Sequence, residues 1–275
     1  MSFRALDIDD VRKRAQSRVL ILGAPNSWKT SAVCKTWDKP IHVVSYPGEK
    51  GAASIPVNDE GVKGWVWEDE EPSTIRLNDT IKEIETLTWE ILGGKHGPIE
   101  TFFGDGLHKL ATQYWRREFN KLMDRYGEQI ASGKMDEDRV KMMAYGNENY
   151  GSCKEIIQYI SRVSHSKVNN VVFSTWEGRE VDDPDSKNPN DRKNTHIYAD
   201  MPGKLARQVV GEFSIVLRSE VGLPGPDGKQ RGVWQIKPKG KVWGVGVKGP
   251  IEVVSKLPAE VPQDWQALKK LLMEV

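Results

Sequence analysis

Short apolar runs alternate with stretches of helical spacing over the first two thirds of the chain. Residues 18–22 ("RVLIL") are nearly all apolar and stop at Gly23, the pattern of a strand buried on both faces. Residues 29–37 follow as a helix, so the segment between them joins strand to helix. "PIHVVS" (40–45) predicts a second strand, a turn-rich stretch follows at 46–54, and "GWVWED" (64–69) predicts a third strand. Within 78–92, Ile81, Ile84, Leu87 or Thr88, and Ile91 recur on one face, which predicts an amphipathic helix. "IETFFGDG" (99–106) reads as a strand ending in an aspartate, with a helix at 107–126 and a polar excursion without regular structure at 127–146. Residues 150–163 predict a helix and 169–176 another buried strand.

The later part of the chain changes character. Residues 177–203 are dense in Asp, Asn, Pro and Lys and read as a long surface loop. A helix at 204–210 leads to two strands, 212–221 and 232–238, joined by the turn "PGPDGK" into a hairpin. In the last helix, 263–273, Trp265, Leu268 and Leu272 share a side and pack back on the body. Strands alternating with helices early and joined by turns late give an α/β fold, a mostly parallel sheet flanked by helices with an antiparallel C-terminal edge. Without repeats or a linker, the expectation is a single domain over 1–275. It has an N-terminal segment 1–17, a core 18–250, and a C-terminal tail and helix 251–275.

Composition narrows the function classes. Net charge is +1, which excludes a surface coated with positive charge, so nucleic-acid binding has to come from a local patch. Apolar runs fall well short of the roughly 20 residues a bilayer span needs, and "MSFRALDIDDVRKR" lacks the apolar centre of a secretory signal. Cys34 and Cys153 allow no disulfide framework and no four-cysteine zinc site, so a reducing, cytoplasmic setting is expected. The ten tryptophans read first as packing residues. The five histidines lack zinc-like spacing, and His108 reads as a surface or capping residue.

One segment carries specific chemistry. "GAPNSWKTS" comprises Gly23, Ala24, Pro25, Asn26, Ser27, Trp28, Lys29, Thr30 and Ser31. It meets the phosphate-loop pattern G-x-x-x-x-G-K-[ST] at Gly23, Lys29 and Thr30, and it departs at Trp28, which takes the second glycine position. In such a loop, backbone N–H groups and the helix N-terminus surround phosphates, the lysine adds a point charge, and the hydroxyl binds Mg²⁺. Trp28 costs about 1–3 kcal/mol if φ must be positive, and little if φ is negative and the indole points outward. Asp105 sits where a metal-orienting carboxylate belongs, or else caps the helix after it. Glu49, in "YPGEKG", either polarises a water opposite the γ-phosphate or is a solvated loop residue.

With those pieces in order, the chain resembles the RecA-like ATPase core. More narrowly, it resembles compact phage ATP-binding proteins of single-strand annealing and recombination. The resemblance spans 18–250 and rests on "GAPNSWKTS", "VVSYPGEKG", "TFFGDGLHKL", "VVFSTWEGRE", "MPGKLARQVVGEFSIVLR" and "QIKPKGK". It implies an ATP- and Mg²⁺-dependent ATPase that assembles as a ring or filament on single-stranded DNA. A single-strand-binding or recombination protein is a possible partner, and the host cytoplasm is the setting if the protein is phage-encoded.

By the same resemblance Glu49 activates water, Asp105 is the metal-associated aspartate, and Thr175 senses the γ-phosphate. The loop after Thr175 would contact DNA through Lys187, Arg192, Lys193, His196 and Tyr198, or be a solvated insertion. Lys237 and Lys239 match paired lysines that reach the ATP of the next subunit, or simply guard a strand edge. Trp28 and the excursion at 127–146 depart from the family pattern. Two other classes stay open. One is a nucleotide kinase, for which Arg116, Arg117, Arg125 and Arg139 are the lid candidates. The other is a non-hydrolysing nucleotide- or DNA-binding module.

Overall fold

The computed structural model describes residues 17–49, 51–55, 59–67, 76–145, 150–181, 195–201, 205–222, 224, 227–238, 242–248 and 251–274. Its centre is strand β1 (Ser17–Gly23), followed by helix α1 (Lys29–Thr36). Next come β2 (Ile41–Ser45), β3 (Val62–Val66), α2 (Leu77–Leu92), β4 (Thr101–Asp105) and α3 (Leu107–Ala131). After α4 (Glu137–Tyr145) and α5 (Tyr150–Ser164), β5 (Asn170–Thr175) returns to the middle of the sheet. β1 pairs in parallel with β5 on one side and with β8 (Ile215–Val221) on the other; β4 lies between β5 and β2, and β2 is followed by β3, all parallel. Beyond β8 the sheet turns antiparallel: β11 (Gly246–Val247) pairs with β8, as does β9 (Gly232–Gln235), and after helix α7 (Ile251–Lys256) the strand β12 (Glu260–Pro262) pairs with β9.

This is the mostly parallel sheet with an antiparallel C-terminal edge that the order of strands, helices and turns along the chain predicts. One strand, β5, separates the loop-bearing β1 from the aspartate-bearing β4, so the ends of all three meet at one edge.

Alternation along the strands divides the core. Leu20 and Leu22 of β1 join a cluster on the face covered by α2, α3, α5 and α6 (Leu205–Gly211). Val19 and Ile21 join the opposite cluster, with Val33 and Trp37 from the α1 side and Trp265 and Leu268 from α8 (Trp265–Glu274). Both faces are buried, which is why β1, β2 and β5 read as nearly unbroken apolar runs rather than alternating ones. In α2, Thr88 rather than Leu87 completes the buried stripe, its hydroxyl 2.9 Å from the Tyr159 hydroxyl.

Two sequence expectations are corrected. The described part of the stretch, 127–145, is largely helical: α3 runs on to Ala131, and α4 packs against it, with Val140 fully buried. Gly133, at φ 70°, ends the first helix, and the Asp136 carboxylate accepts the Asp138 N–H at 2.9 Å to start the second. The surface loop expected at 177–203 is flanked by paired strands β6 (Glu177–Val181) and β7 (Thr195–Ala199), with β10 (Val242–Trp243) beside β7. Its arms pack because Ile197 and Ala199 alternate into the core.

Candidate nucleotide site

The edge where β1, β4 and β5 end opens into a cavity of about 410 Å³. Pro25, Asn26, Ser27, Trp28, Lys29, Thr30 and Ser31 of the expected phosphate loop line it, together with Glu49 and Asp105. Gly23 and Ala24 sit behind the wall and supply carbonyls. Gly23 is required by space: a Cβ there would stand 2.5 Å from Ser27 Oγ and 2.9 Å from the Ser219 carbonyl. The loop is pinned from outside as well. Ser219 Oγ on β8 donates to the Ser27 carbonyl at 2.7 Å, and Gln263 Nε2 donates to the same oxygen at 3.1 Å.

Trp28 adopts φ 63°, ψ 19° and accepts the first hydrogen bond of α1 from the Ala32 N–H at 2.9 Å. The backbone therefore keeps the left-handed turn that glycine would make freely, and the tryptophan bears the strain. Asn26 is likewise left-handed, at φ 62°. The indole is 41% exposed and forms part of the cavity lip rather than filling the cavity.

Lys29 is buried against its own loop and donates to the Gly23 carbonyl at 3.0 Å, the Ala24 carbonyl at 2.8 Å and Ser27 Oγ at 3.3 Å. Burial lowers its pKa, opposed by the negative charges of Asp105, Glu49 and Glu177 around it. Thr30 Oγ1 donates to Asp105 Oδ2 at 2.8 Å, and the Ser174 hydroxyl donates to Oδ1 of the same carboxylate. Ser174 in turn accepts the Gly106 N–H at 3.0 Å. Asp105 is 2% exposed, and burial raises it to about 6 although both hydroxyls and Lys29 oppose the rise. It is thus a buried anion held in place and in need of a cation. The chain past Gly51 lies so close to Asp105 and Thr30 that a Cβ at 51 would collide with both.

Glu49 follows β2, accepts the Gly51 N–H at 3.2 Å, and has Oε2 3.7 Å from His108 Nε2. His108 is not a surface residue. It is 5% exposed, stacks on Trp176 with ring centres 4.4 Å apart, and burial drives its pKa down to about 3. Its proximity to Glu49 does not outweigh that desolvation, so the imidazole is neutral at pH 7.

Other expected residues are redistributed. Thr175 is fully buried and absent from the cavity wall, and its hydroxyl has no hydrogen-bond partner among the described residues. Ser174 takes that wall position instead. Val172 and Phe103 point to the α1 face, so two residues on, Ser174 and Asp105 share it, while Phe173 and Thr175 face away. Lys237 lies off its own chain's cavity and donates to the Ser255 carbonyl at 2.8 Å. Lys239, Lys187, Arg192 and Lys193 lie outside the described residues. His196 is exposed on β7 opposite Glu180. The Tyr198 ring packs over Gly178 and against the core and is half-buried. Arg116, Arg117, Arg125 and Arg139 all stand away from the cavity wall, and none forms a lid there.

Sequence reasoning missed Lys109, Ser174 and Trp176 on the wall and His108 beneath it. Strand alternation could have identified Ser174; nothing in the spacing marks the other three.

Among the described residues no three His, Cys, Asp or Glu side chains cluster as a metal site, and no helix is long and apolar enough to cross a membrane. One hydroxyl and one carboxylate, Thr30 and Asp105, are nevertheless the hard oxygen donors that Mg²⁺ takes when phosphates and water complete its shell.

No family model matches the chain, and no curated protein matches it. Among solved structures it is similar to an ATPase from the type III secretion system of pathogenic bacteria, at 11% identity and a TM-score of 0.42 over 74% of this chain and 51% of that one. It is also similar to a KaiC-like protein from the archaeon Pyrococcus horikoshii OT3, at 8% identity and a TM-score of 0.37 over 80% and 79% of the two chains. The chain spans about half the length of the first. The fold stands on the strand order, and the functional reading stands on the residues of the cavity.

Proposed function

We propose that this chain is a RecA-like ATPase that binds ATP with Mg²⁺ in the cavity, hydrolyses it, and assembles as a homo-oligomer on single-stranded DNA. One observation carries the reading. Lys29 and Thr30 open helix α1 on the cavity, Thr30 is hydrogen-bonded to the buried Asp105, and a second carboxylate, Glu49, faces the same space. Loop amides and Lys29 take the phosphates, as helix N-termini do generally. Thr30 and Asp105 would hold the ion, which supplies neutralisation of phosphate charge.

Glu49 then acts as base. A water oxygen forms a bond to the γ-phosphorus as its proton passes to the Glu49 carboxylate. The bond from phosphorus to the β–γ bridging oxygen breaks, and its electron pair leaves on ADP.

The single-stranded DNA reading is supported by connectivity. Trp176 alone separates β5 from β6, and its carbonyl accepts the Asp200 N–H at 2.9 Å, so the cavity wall is also the root of the paired strands β6 and β7, between which Lys187, Arg192 and Lys193 fall in the sequence. Assembly supplies what the near-neutral charge does not, because modest basic segments add by multivalency. Lys237, just past β9, and Lys239, two residues on in the sequence, are the residues we assign to a neighbouring subunit's nucleotide.

The test is ATP turnover with and without single-stranded DNA. Lys29→Ala is expected to abolish turnover and Trp28→Gly to preserve or raise it. DNA is expected to stimulate turnover, with salt weakening the effect. Turnover and assembly that both ignore DNA refute the DNA role, and a wild-type chain that binds ATP without hydrolysing it is a binding module.

A further inference from the structure

Two lysines line the cavity, and they are held differently. Lys29 is engaged by three oxygens of its own loop and surrounded by three carboxylates. Lys109 has neither kind of partner: among the described residues its ammonium makes no hydrogen bond and no ion pair. It lies over the face of Trp176, 5.0 Å from the ring centre. That ring is fixed from below by its stacking on buried His108, so the ammonium has a rigid apolar rest on the wall rather than a free tether.

Lys109 also sits where a helix does not want it. It is in the first turn of α3, four residues past Asp105, with its N–H donating to the Gly106 carbonyl at 2.7 Å. The positive end of the helix dipole disfavours a cation there unless an anion stands nearby. The carboxylates that share the cavity, Asp105 and Glu49, are engaged by Thr30, Ser174 and the Gly51 N–H. An unpaired cation on a fixed platform, lining the same cavity as Glu49, is arranged for a ligand anion.

We infer that Lys109 contacts the terminal phosphate of the bound nucleotide, so that each chain distinguishes a nucleoside triphosphate from a diphosphate with its own cation. The inference rests on the ATP-site reading and assigns the residue that reads the third phosphate. It makes Lys109 a contact to the group being transferred, independent of anything a neighbouring subunit contributes at Lys237 or Lys239. Charge building on the γ-phosphate oxygens is stabilised by this ammonium as it is by arginine fingers elsewhere.

The experiment measures equilibrium binding of ADP and of ATPγS, each with Mg²⁺, to wild type, Lys109→Ala and Lys109→Arg. For Lys109→Ala, ATPγS binding is expected to weaken by about tenfold, the scale of one charge-assisted contact, with ADP binding unchanged. Its kcat is expected to fall by a factor of ten or more, while Lys109→Arg retains the preference for the triphosphate. Thermal unfolding without nucleotide, unchanged in both variants, separates this from a folding defect. An unaltered ATPγS-to-ADP ratio in Lys109→Ala, or equal loss of both ligands, overturns the inference while leaving the ATP site standing. Wild-type protein that binds neither nucleotide overturns the site and the inference together.

Discussion

At the scale of single residues the site is built from strain and desolvation. Trp28 holds a left-handed backbone that an L-residue adopts at a cost of about 1–2 kcal/mol. Glycine would relieve this but give back about 0.4–1 kcal/mol through greater freedom of the unfolded chain. The balance predicts that Trp28→Gly raises stability by up to about 1.6 kcal/mol, seen as a melting increase of up to about 3 °C in calorimetry; a clear decrease would mean the indole packs better than its exposure suggests. His108 gives a pH signature. Burial sets its folded pKa near 3, below the ordinary 6.5, so the unfolded chain takes the proton first and stability falls as pH drops from 6.5 towards 3. At pH 5 this amounts to about 2 kcal/mol. The charged groups around it are Glu49, Lys29 and Lys109, which all remain in His108→Phe. Urea denaturation at pH 7.5 and 5 should therefore show a shallower acid loss for that variant.

At the scale of elements, what was legible followed burial on both faces. The apolar runs of β1, β2, β4 and β5 located the sheet, and the loop after β1 located the site, because parallel strands buried twice leave no other pattern. The same double burial hid which strand-end residue faces the cavity, so Thr175 was expected where Ser174 stands, one residue and one face apart. The helices at 127–145 were obscured by their polarity, since among the described side chains there only Val140 is buried. Histidine and lysine at 108 and 109 were illegible because their roles depend on Trp176, distant in sequence and near only after folding.

Elements are also joined by a device that composition conceals. Arg18 on β1 is buried, and its guanidinium donates to the carbonyls of Ser164, Ser166 at 3.2 Å and Val168 at 3.2 Å, closing the turn between α5 and β5. Arg18→Leu leaves those oxygens without donors and is expected to destabilise by about 2–4 kcal/mol in chemical denaturation. A loss below 1 kcal/mol would show that water replaces the guanidinium.

At the scale of the whole molecule, the C-terminal helix α8 belongs to the core. Trp265 stacks on Trp37 of the α1 end at 4.8 Å and 7°, and Trp37 meets Trp234 of β9 edge-on at 5.2 Å. The packing reading of the tryptophans holds at these three. Trp265→Ala should cost about 3–5 kcal/mol by chemical denaturation, because it opens a cavity under helix, sheet edge and phosphate-loop helix together.

The indole at the cavity lip has a spectroscopic consequence. Trp37, Trp234 and Trp265 emit from apolar surroundings that a ligand at the sheet edge does not reach, whereas Trp28 is wetted. Trp28 and Trp176 both line the cavity, so a triphosphate settling there should shift or quench their emission while the three buried indoles stay constant. Trp28→Phe should remove the part of the change that comes from the lip and leave that of Trp176, giving a titration that needs no label.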